Sequence, residues 1–249
     1  MIEAQGLKKA FARKGGKRND AVQAVTDVPF VAQDGQITGL LGANGAGKST
    51  TLRILATLMQ ADSGWAKIDG VDVNKNPLAA REHFGYLPHN SGLYPRLSAK
   101  ENIEYYGRLY GLSARQAQNR ADELVDLLDM QDIAQRRTEG FSQGQKTKVG
   151  LARAMVHSPN TLLLDEPTNG LDVIATRALR KTIRGLRDQG HCILFSSHIM
   201  QEVAALCDHI AIICDGKVAL AGSVAGIRQL TGQYDLEDAF VVAIGGKLE

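Results

Sequence analysis

The chain has 249 residues, 29 Lys and Arg against 27 Asp and Glu, a formal net charge of +2 and a hydrophobic fraction of 44%. These values exclude disorder, collagen and a disulfide-stapled miniprotein, and a chain this long can bury one large core with a smaller lobe attached. Its apolar stretches, such as Leu162–Leu164 and Ile210–Cys214, fall far short of the roughly 18 residues of a membrane-spanning helix, and the near-neutral balance gives no reason to expect nucleic acid as a partner.

In chain order, Met1-Ile2-Glu3-Ala4-Gln5 is too mixed in polarity for a secretory leader. The basic run Arg13-Lys14-Gly15-Gly16-Lys17-Arg18 reads as a solvated loop, with contact to anionic lipid as the alternative. Gln36–Leu41 reads as a short buried strand that enters a glycine-rich turn and then a helix from about Lys48 to Met59, with Leu52, Leu55, Ala56 and Met59 on one face. Between about Pro88 and Pro159 the pattern becomes helical. Capping boxes at Ser98–Glu101 and Ser113–Gln116 open two helices, the second carrying Leu124, Leu127 and Leu128, and a third runs from about Gln143 to His157. Strands follow at Thr161–Asp165 and Cys192–Ser196, each succeeded by a helix (Val173–Gln189 and Ile199–Leu206). Strands at Ile210–Cys214 and Val218–Ala221 are joined by the Asp215-Gly216 turn. The pattern implies an α/β fold with a mostly parallel, helix-covered sheet and an antiparallel portion. Cys192, Cys207 and Cys214 lie among apolar neighbours without metal-ligand spacing and read as buried reduced thiols.

Gly42-Ala43-Asn44-Gly45-Ala46-Gly47-Lys48-Ser49 matches G-x-x-x-x-G-K-[ST] between a strand and a helix, the context that gives the motif meaning. Its glycines let backbone N–H groups surround phosphate oxygens, and the helix N-terminus adds partial positive charge. Lys48 supplies a full charge to the β- and γ-phosphates, the Ser49 hydroxyl can ligate Mg2+, and Thr50 can add a further phosphate contact. The loop implies a nucleoside triphosphate ligand. No guanine-reading N-K-x-D occurs in the chain. Thr161–Glu166 is a hydrophobic strand ending in two carboxylates. Asp165 suits Mg2+ through water, and Glu166 can polarise an attacking water as general base. Phe141-Ser142-Gln143-Gly144-Gln145, taken alone, is a good helix N-cap.

The order of phosphate loop, S-x-G-Q segment, acidic strand, Gly170-Leu171-Asp172 and His198 resembles the ATP-binding cassette (ABC) ATPases over almost the whole chain. The resemblance implies a P-loop NTPase of the ABC-ATPase fold, with a RecA-like core, an antiparallel β portion and an inserted helical subdomain. It implies a nucleotide-binding domain over 1–232, with the helical subdomain at about 88–160, and a short C-terminal segment at 233–249. It further implies ATP and Mg2+ as ligands and a head-to-tail dimer with a second nucleotide-binding domain, a homodimer first and a heterodimer as the alternative. In that dimer Ser142, Gly144 and Gln145 touch the γ-phosphate held by the opposite phosphate loop (Gly42, Asn44, Gly45, Ala46, Gly47, Lys48, Ser49, Thr50). Asp172 takes the position of the loop that communicates between the two sites, His198 that of the switch histidine contacting the γ-phosphate, and Phe11 that of the aromatic stacking on adenine.

Three positions depart from the family's commonest pattern. Phe141 and Gln143 stand where leucine and glycine are usual, and His89 in Gly85-Tyr86-Leu87-Pro88-His89 stands where glutamine normally ligates Mg2+ and hinges the helical lobe. A neutral imidazole can still accept a hydrogen bond from metal-bound water, so His89 is expected to keep the hinge and that contact. The segments Pro88–Leu112 and Asp235–Phe240 resemble the ABC-2 exporter branch, most closely the NatA-type sodium-extrusion subunits. The implied role is an ATPase subunit peripheral to the cytoplasmic face of the membrane, energising export through a separate integral-membrane permease. Sodium, or a drug, lipid or polysaccharide, remains open as cargo. An ABC ATPase without a transporter is disfavoured, because one cassette with no sustained heptad stretch is present.

Overall fold

The computed structural model describes residues 1–12 and 21–246; the basic run Arg13–Arg18 lies outside them. Its main sheet has six strands: β4 (Ile37–Leu41), β7 (Phe84–Leu87), β8 (Thr161–Asp165), β9 (Cys192–Ser197), β10 (His209–Cys214) and β11 (Lys217–Ser223). Their order is β11-β10-β4-β9-β8-β7, parallel except for the β10/β11 hairpin. Every residue of β4, β8 and β9 is buried, which is why these strands read as continuous apolar runs rather than alternating ones. Side chains nevertheless alternate between two cores. Leu162 and Leu164 face one with Ile193 and Phe195, whereas Leu163 and Leu194 face the other with Ile2, Leu7 and Leu52.

The second core is closed by an antiparallel sheet of β1 (Ile2–Ala12), β2 (Ala21–Val25), β3 (Phe30–Ala32), β5 (Ser63–Ile68) and β6 (Val71–Asp72), ordered β2-β1-β5-β6 with β3 also paired to β1. Helix α1 (Lys48–Leu55) follows β4, and α2 (Pro77–His83) precedes β7. Helices α3 (Ala99–Leu109), α4 (Ala114–Leu127) and α5 (Gln143–Met155) pack on one another, each opened by a capping box, and α5 also packs on β7. Helix α6 (Val173–Asp188) follows β8 and α7 (Met200–Leu206) follows β9, while α8 (Val224–Thr231) and α9 (Leu236–Ala243) pack beside β11 and α7.

The expected α/β architecture is present, and four details differ. The antiparallel portion is a whole second sheet, not only the β10/β11 hairpin. Helix α1 stops at Leu55, because Ala56 caps it and Thr57 turns left-handed at φ 58°, its hydroxyl accepting from Arg81 Nε at 2.7 Å. Leu127 is exposed, since only Leu124 and Leu128 of that trio fall on the packed face of α4. Cys192 and Cys207 are buried free thiols, but Cys214, at the open end of β10, is only half-buried.

The strand register sets the site. Leu41 pairs with Ser197 across β4/β9, Asp165 with Ser196 across β8/β9, and Leu87 with Leu164 across β7/β8. The chain segments that leave these strands therefore emerge along one edge of the sheet, where ligands of open α/β sheets bind. Gly85 allows α5 to pack closely on β7, because a Cβ there would lie 2.1 Å from the Ala154 carbonyl oxygen, a backbone atom that cannot rotate away. Gly85→Ala is expected to lose about 1–3 kcal/mol of stability. Gly185→Ala, at an open position of α6 with nothing within 4 Å, is expected to gain up to about 1 kcal/mol. Chemical-denaturation midpoints of the two variants check this, and equal midpoints would remove the packing argument.

Candidate active site

The loop between β4 and α1 wraps back on its own helix. Gly47 adopts φ 110° and lies so close to β2 that a Cβ would meet the Ala24 carbonyl oxygen at 2.4 Å. Asn44 and Gly45 form the exposed rim, Ala46 is buried, and Ser49 and Thr50 are half-buried in the first turn of α1. Lys48, only 4% exposed, donates from Nζ to the carbonyls of Gly42 at 2.7 Å and Ala43 at 3.1 Å. Burial lowers the pKa of its ammonium, and the neighbouring Glu166 and Asp165 carboxylates oppose that shift. The ammonium thus lies folded within the loop, poised beside any anion held by the backbone N–H groups.

Asp165, buried at the end of β8, accepts at Oδ1 from Ser49 Oγ at 3.0 Å and from Ser196 Oγ at 2.9 Å. Tyr86 on β7 stands behind it, its phenol pushed up to about 12 by burial and by the Asp165 charge. The hydroxyl and carboxylate of Ser49 and Asp165 are hard oxygen donors side by side. Among the described residues no cluster of three or more His, Cys, Asp or Glu could hold a metal. A donor set this sparse fits a cation that keeps several waters and takes its remaining ligands from phosphate, as Mg2+ does.

Glu166, one residue on, adopts φ 49°, a left-handed conformation that costs a glutamate on the order of 1 kcal/mol or more. Its N–H donates to Ser196 Oγ at 3.0 Å, so Ser196 bridges both acidic residues. The turn brings its carboxylate among three nitrogens: Lys48 Nζ at 3.7 Å and His198 Nδ1 at 3.2 Å, both from Oε1, and His89 Nδ1 at 3.8 Å from Oε2. The His198 contact lies at ion-pair distance without hydrogen-bond alignment. His89 belongs to the loop after β7 and is 54% exposed. Lys48, Ser49, Asp165, Glu166, His89 and His198 are thus brought together. A carboxylate so flanked can accept a proton from a water that attacks a phosphate held by the loop.

The other proposed contacts lie elsewhere. Ser142 caps α5, accepting from Gln145 N at 3.3 Å while Gln145 Oε1 accepts from Ser142 N at 3.0 Å. Asp172 caps α6, accepting from Ala175 N at 2.8 Å. Ser142, Gly144, Gln145 and Asp172 line one cleft of about 310 Å³, to which no phosphate-loop residue contributes. Phe11 sits at the partly exposed end of β1, paired with Val22, on the ribbon whose β2 strand reaches the loop through Ala24. Sequence reasoning missed Ser196, Thr168, Glu202 and Tyr86. The serine had a signal, a hydroxyl at a buried strand end in parallel register with Asp165; the others had none without the fold.

Residues 25–169, more than half of the chain, match the family model described as ABC transporter. The chain is 40% identical to the ABC transporter ATP-binding protein NatA of Bacillus subtilis over 231 residues, 92% of this chain and 94% of that one. It is 34% identical to the linearmycin resistance ATP-binding protein LnrL of the same organism, over 98% of this chain and 78% of the other. Among solved structures, an ATP binding subunit of an ABC transporter superposes with a TM-score of 0.84 at 29% identity, covering 98% of this chain and 99% of the other. The match over more than half of the chain decides the matter: the protein belongs to the ABC transporter family, as an ATP-binding subunit with ATPase activity.

Proposed function

We propose that the subunit binds Mg2+-ATP in the 42–50 loop and hydrolyses it with Glu166 as general base, energising export through a separate membrane permease. The observation that carries this reading is the Glu166 carboxylate turned between Lys48 and His198. The loop N–H groups and Lys48 bind the phosphates, and Glu166 takes the proton of the attacking water. His198 contacts the γ-phosphate and keeps that carboxylate oriented. Ser49 and Asp165 would hold Mg2+, which when bound offsets the charge that develops on the phosphate oxygens. Phe11 would stack on adenine.

The 310 Å³ cleft lined by Ser142, Gly144, Gln145 and Asp172 contains no phosphate-loop residue, and exposed Val173 and Ile174 flank it. This favours a head-to-tail homodimer in which the α5 N-terminus of one copy completes the phosphate site of the other. The helical subdomain at about 88–160 transmits closure to the permease, and 233–249 forms a short C-terminal segment, whose Leu236, Ala239 and Phe240 are buried in the main core. No helix among the described residues is long and apolar enough to cross a membrane, which agrees with a peripheral subunit at the cytoplasmic face. For cargo we place Na+ first. The resemblance to the NatA branch at 88–112 and 235–240 supports it, and so does the match to NatA over nearly all of both chains. The similarity to a linearmycin resistance subunit makes drug export the second reading.

Glu166→Gln is expected to bind ATP and accumulate as a dimer while kcat falls about 10²- to 10⁴-fold; phosphate release near the unaltered rate would refute the base assignment. Lys48→Ala and Ser142→Ala are each expected to be inactive alone. Mixing the two should restore turnover at the one composite site that combines an intact loop with an intact α5 cap, and a mixture as inactive as its components would count against the sandwich. Inside-out vesicles containing the subunit and its permease should accumulate Na+ in the lumen on ATP addition. Linearmycin movement without Na+ movement would favour the second reading.

A further inference from the structure

Helix α7 buries a carboxylate that the proposed mechanism leaves unused. Glu202 is 6% exposed. Its Oε2 accepts a hydrogen bond from the hydroxyl of Thr168 and lies 3.5 Å from the Ser197 hydroxyl, while Oε1 lies 3.9 Å from Arg180 Nη2 of α6. Burying a carboxylate is costly unless it is paired and hydrogen-bonded, so these partners are required and their positions are tied to one another. Thr168 lies inside the turn that Asn169 N closes onto the Glu166 carbonyl at 3.1 Å, and Ser197 immediately precedes His198, accepting from Ile199 N at 3.0 Å. The Glu202 carboxylate therefore touches both segments that carry the two groups facing each other at 3.2 Å.

The Glu166 turn needs an external hold, because its left-handed backbone is unfavourable for a residue with a Cβ. Ser196 grips it from the N-terminal side, accepting from Glu166 N. On the C-terminal side the hold is Thr168, and the only carboxylate hydrogen-bonded to Thr168 among the described contacts is Glu202. We propose that Glu202 and Thr168 are positioning residues for hydrolysis: the buried carboxylate locks the Glu166 turn to the His198 loop and so sets where the base stands relative to the γ-phosphate. The inference rests on Glu166 being the base. It assigns neither residue a contact with nucleotide, so their removal acts on kcat and leaves the phosphate cradle alone.

The experiment compares steady-state ATP hydrolysis by the full chain with its thermal unfolding. Thr168→Val keeps the shape and deletes the hydroxyl, Thr168→Ser keeps the hydroxyl, Glu202→Asp keeps the charge but draws it back by one methylene, and Glu202→Gln keeps an acceptor in place. Misplacing a reacting group by about 1 Å can cost about 100-fold. Thr168→Val and Glu202→Asp are therefore expected to lose kcat by about 10- to 100-fold with KM for ATP within about two-fold. Thr168→Ser and Glu202→Gln are expected to stay within a few-fold of the unaltered chain. Leaving a buried group unpaired costs about 1–3 kcal/mol; if this unfolds Thr168→Val, the Glu202→Asp variant carries the same reading. A folded Thr168→Val or Glu202→Asp with unaltered kcat would overturn the proposal. So would a loss confined to KM, or Thr168→Ser and Glu202→Gln as slow as the disruptive pair. Glu166→Gln is the control. If it still turns over ATP, the base assignment itself fails, whereas an inactive Glu166→Gln beside a fully active Thr168→Val strikes only at Glu202.

Discussion

One hydroxyl holds the acidic end of the main sheet together. Ser196 Oγ donates to Asp165 and accepts from the N–H of Glu166, so a single atom of β9 fixes the last residue of β8 and the residue that follows it. Parallel register makes this possible, since Asp165 and Ser196 are direct partners across the two strands. Without the bridge, nothing on the β9 side would oppose the tendency of Glu166 to leave its left-handed conformation. The two carboxylates would then lose the division of labour that their environments impose. Asp165 is buried and accepts from two serine hydroxyls at Oδ1, which holds it rigidly beside the first turn of α1. Glu166 instead faces the loop among three nitrogens.

The same sheet edge explains why the chain holds two separate polar sites. The phosphate loop follows β4 at the centre, whereas the α5 and α6 N-termini gather around their own cleft. Each cap there is already satisfied within the chain: Ser142 by Gln145 and Asp172 by Ala175. The helix-cap reading and the phosphate-contact reading of Ser142 are therefore compatible. A cap that rigidly orients the first turn of α5 also fixes the free N–H groups that an anion would meet. Local helix chemistry prepares the surface that the proposed dimer would use.

The sequence exposed those parts of the fold in which local chemistry and tertiary role coincide. Strand β8 is legible because a strand buried on both faces is apolar throughout, and α5 because its capping box is local. The N-terminal sheet was not, since β1 and β2 mix exposed and buried positions, and β1 gains its other partners from β3 and β5, farther along the chain. Helix α1 was read too long because Met59 continues the apolar periodicity past Thr57, and only the left-handed turn held by Arg81 ends it. Within the site, Lys48, Asp165 and Glu166 are marked by motif spacing. Thr168 and Glu202 are separated by 34 positions and meet only because α7, packed on β4 and β9, faces the turn that follows β8.

That distinction bears on the histidine where the family usually has glutamine. Glu166 faces two imidazoles on differently anchored segments. His198 follows β9 and is tied, through Ser197 and Ser196, to the same hydroxyl and carboxylate contacts that hold the Glu166 turn. His89 follows β7 and is more than half exposed. The carbonyls of Ser91 and Gly92, just beyond it, accept from buried Arg153 of α5, which also stacks on Tyr106 of α3. One imidazole therefore moves with the core, and the other is anchored to the helices that carry the Ser142 cap. The two carboxylate oxygens of Glu166 are thus faced from two differently held segments, Oε1 by His198 after β9 and Oε2 by His89 after β7.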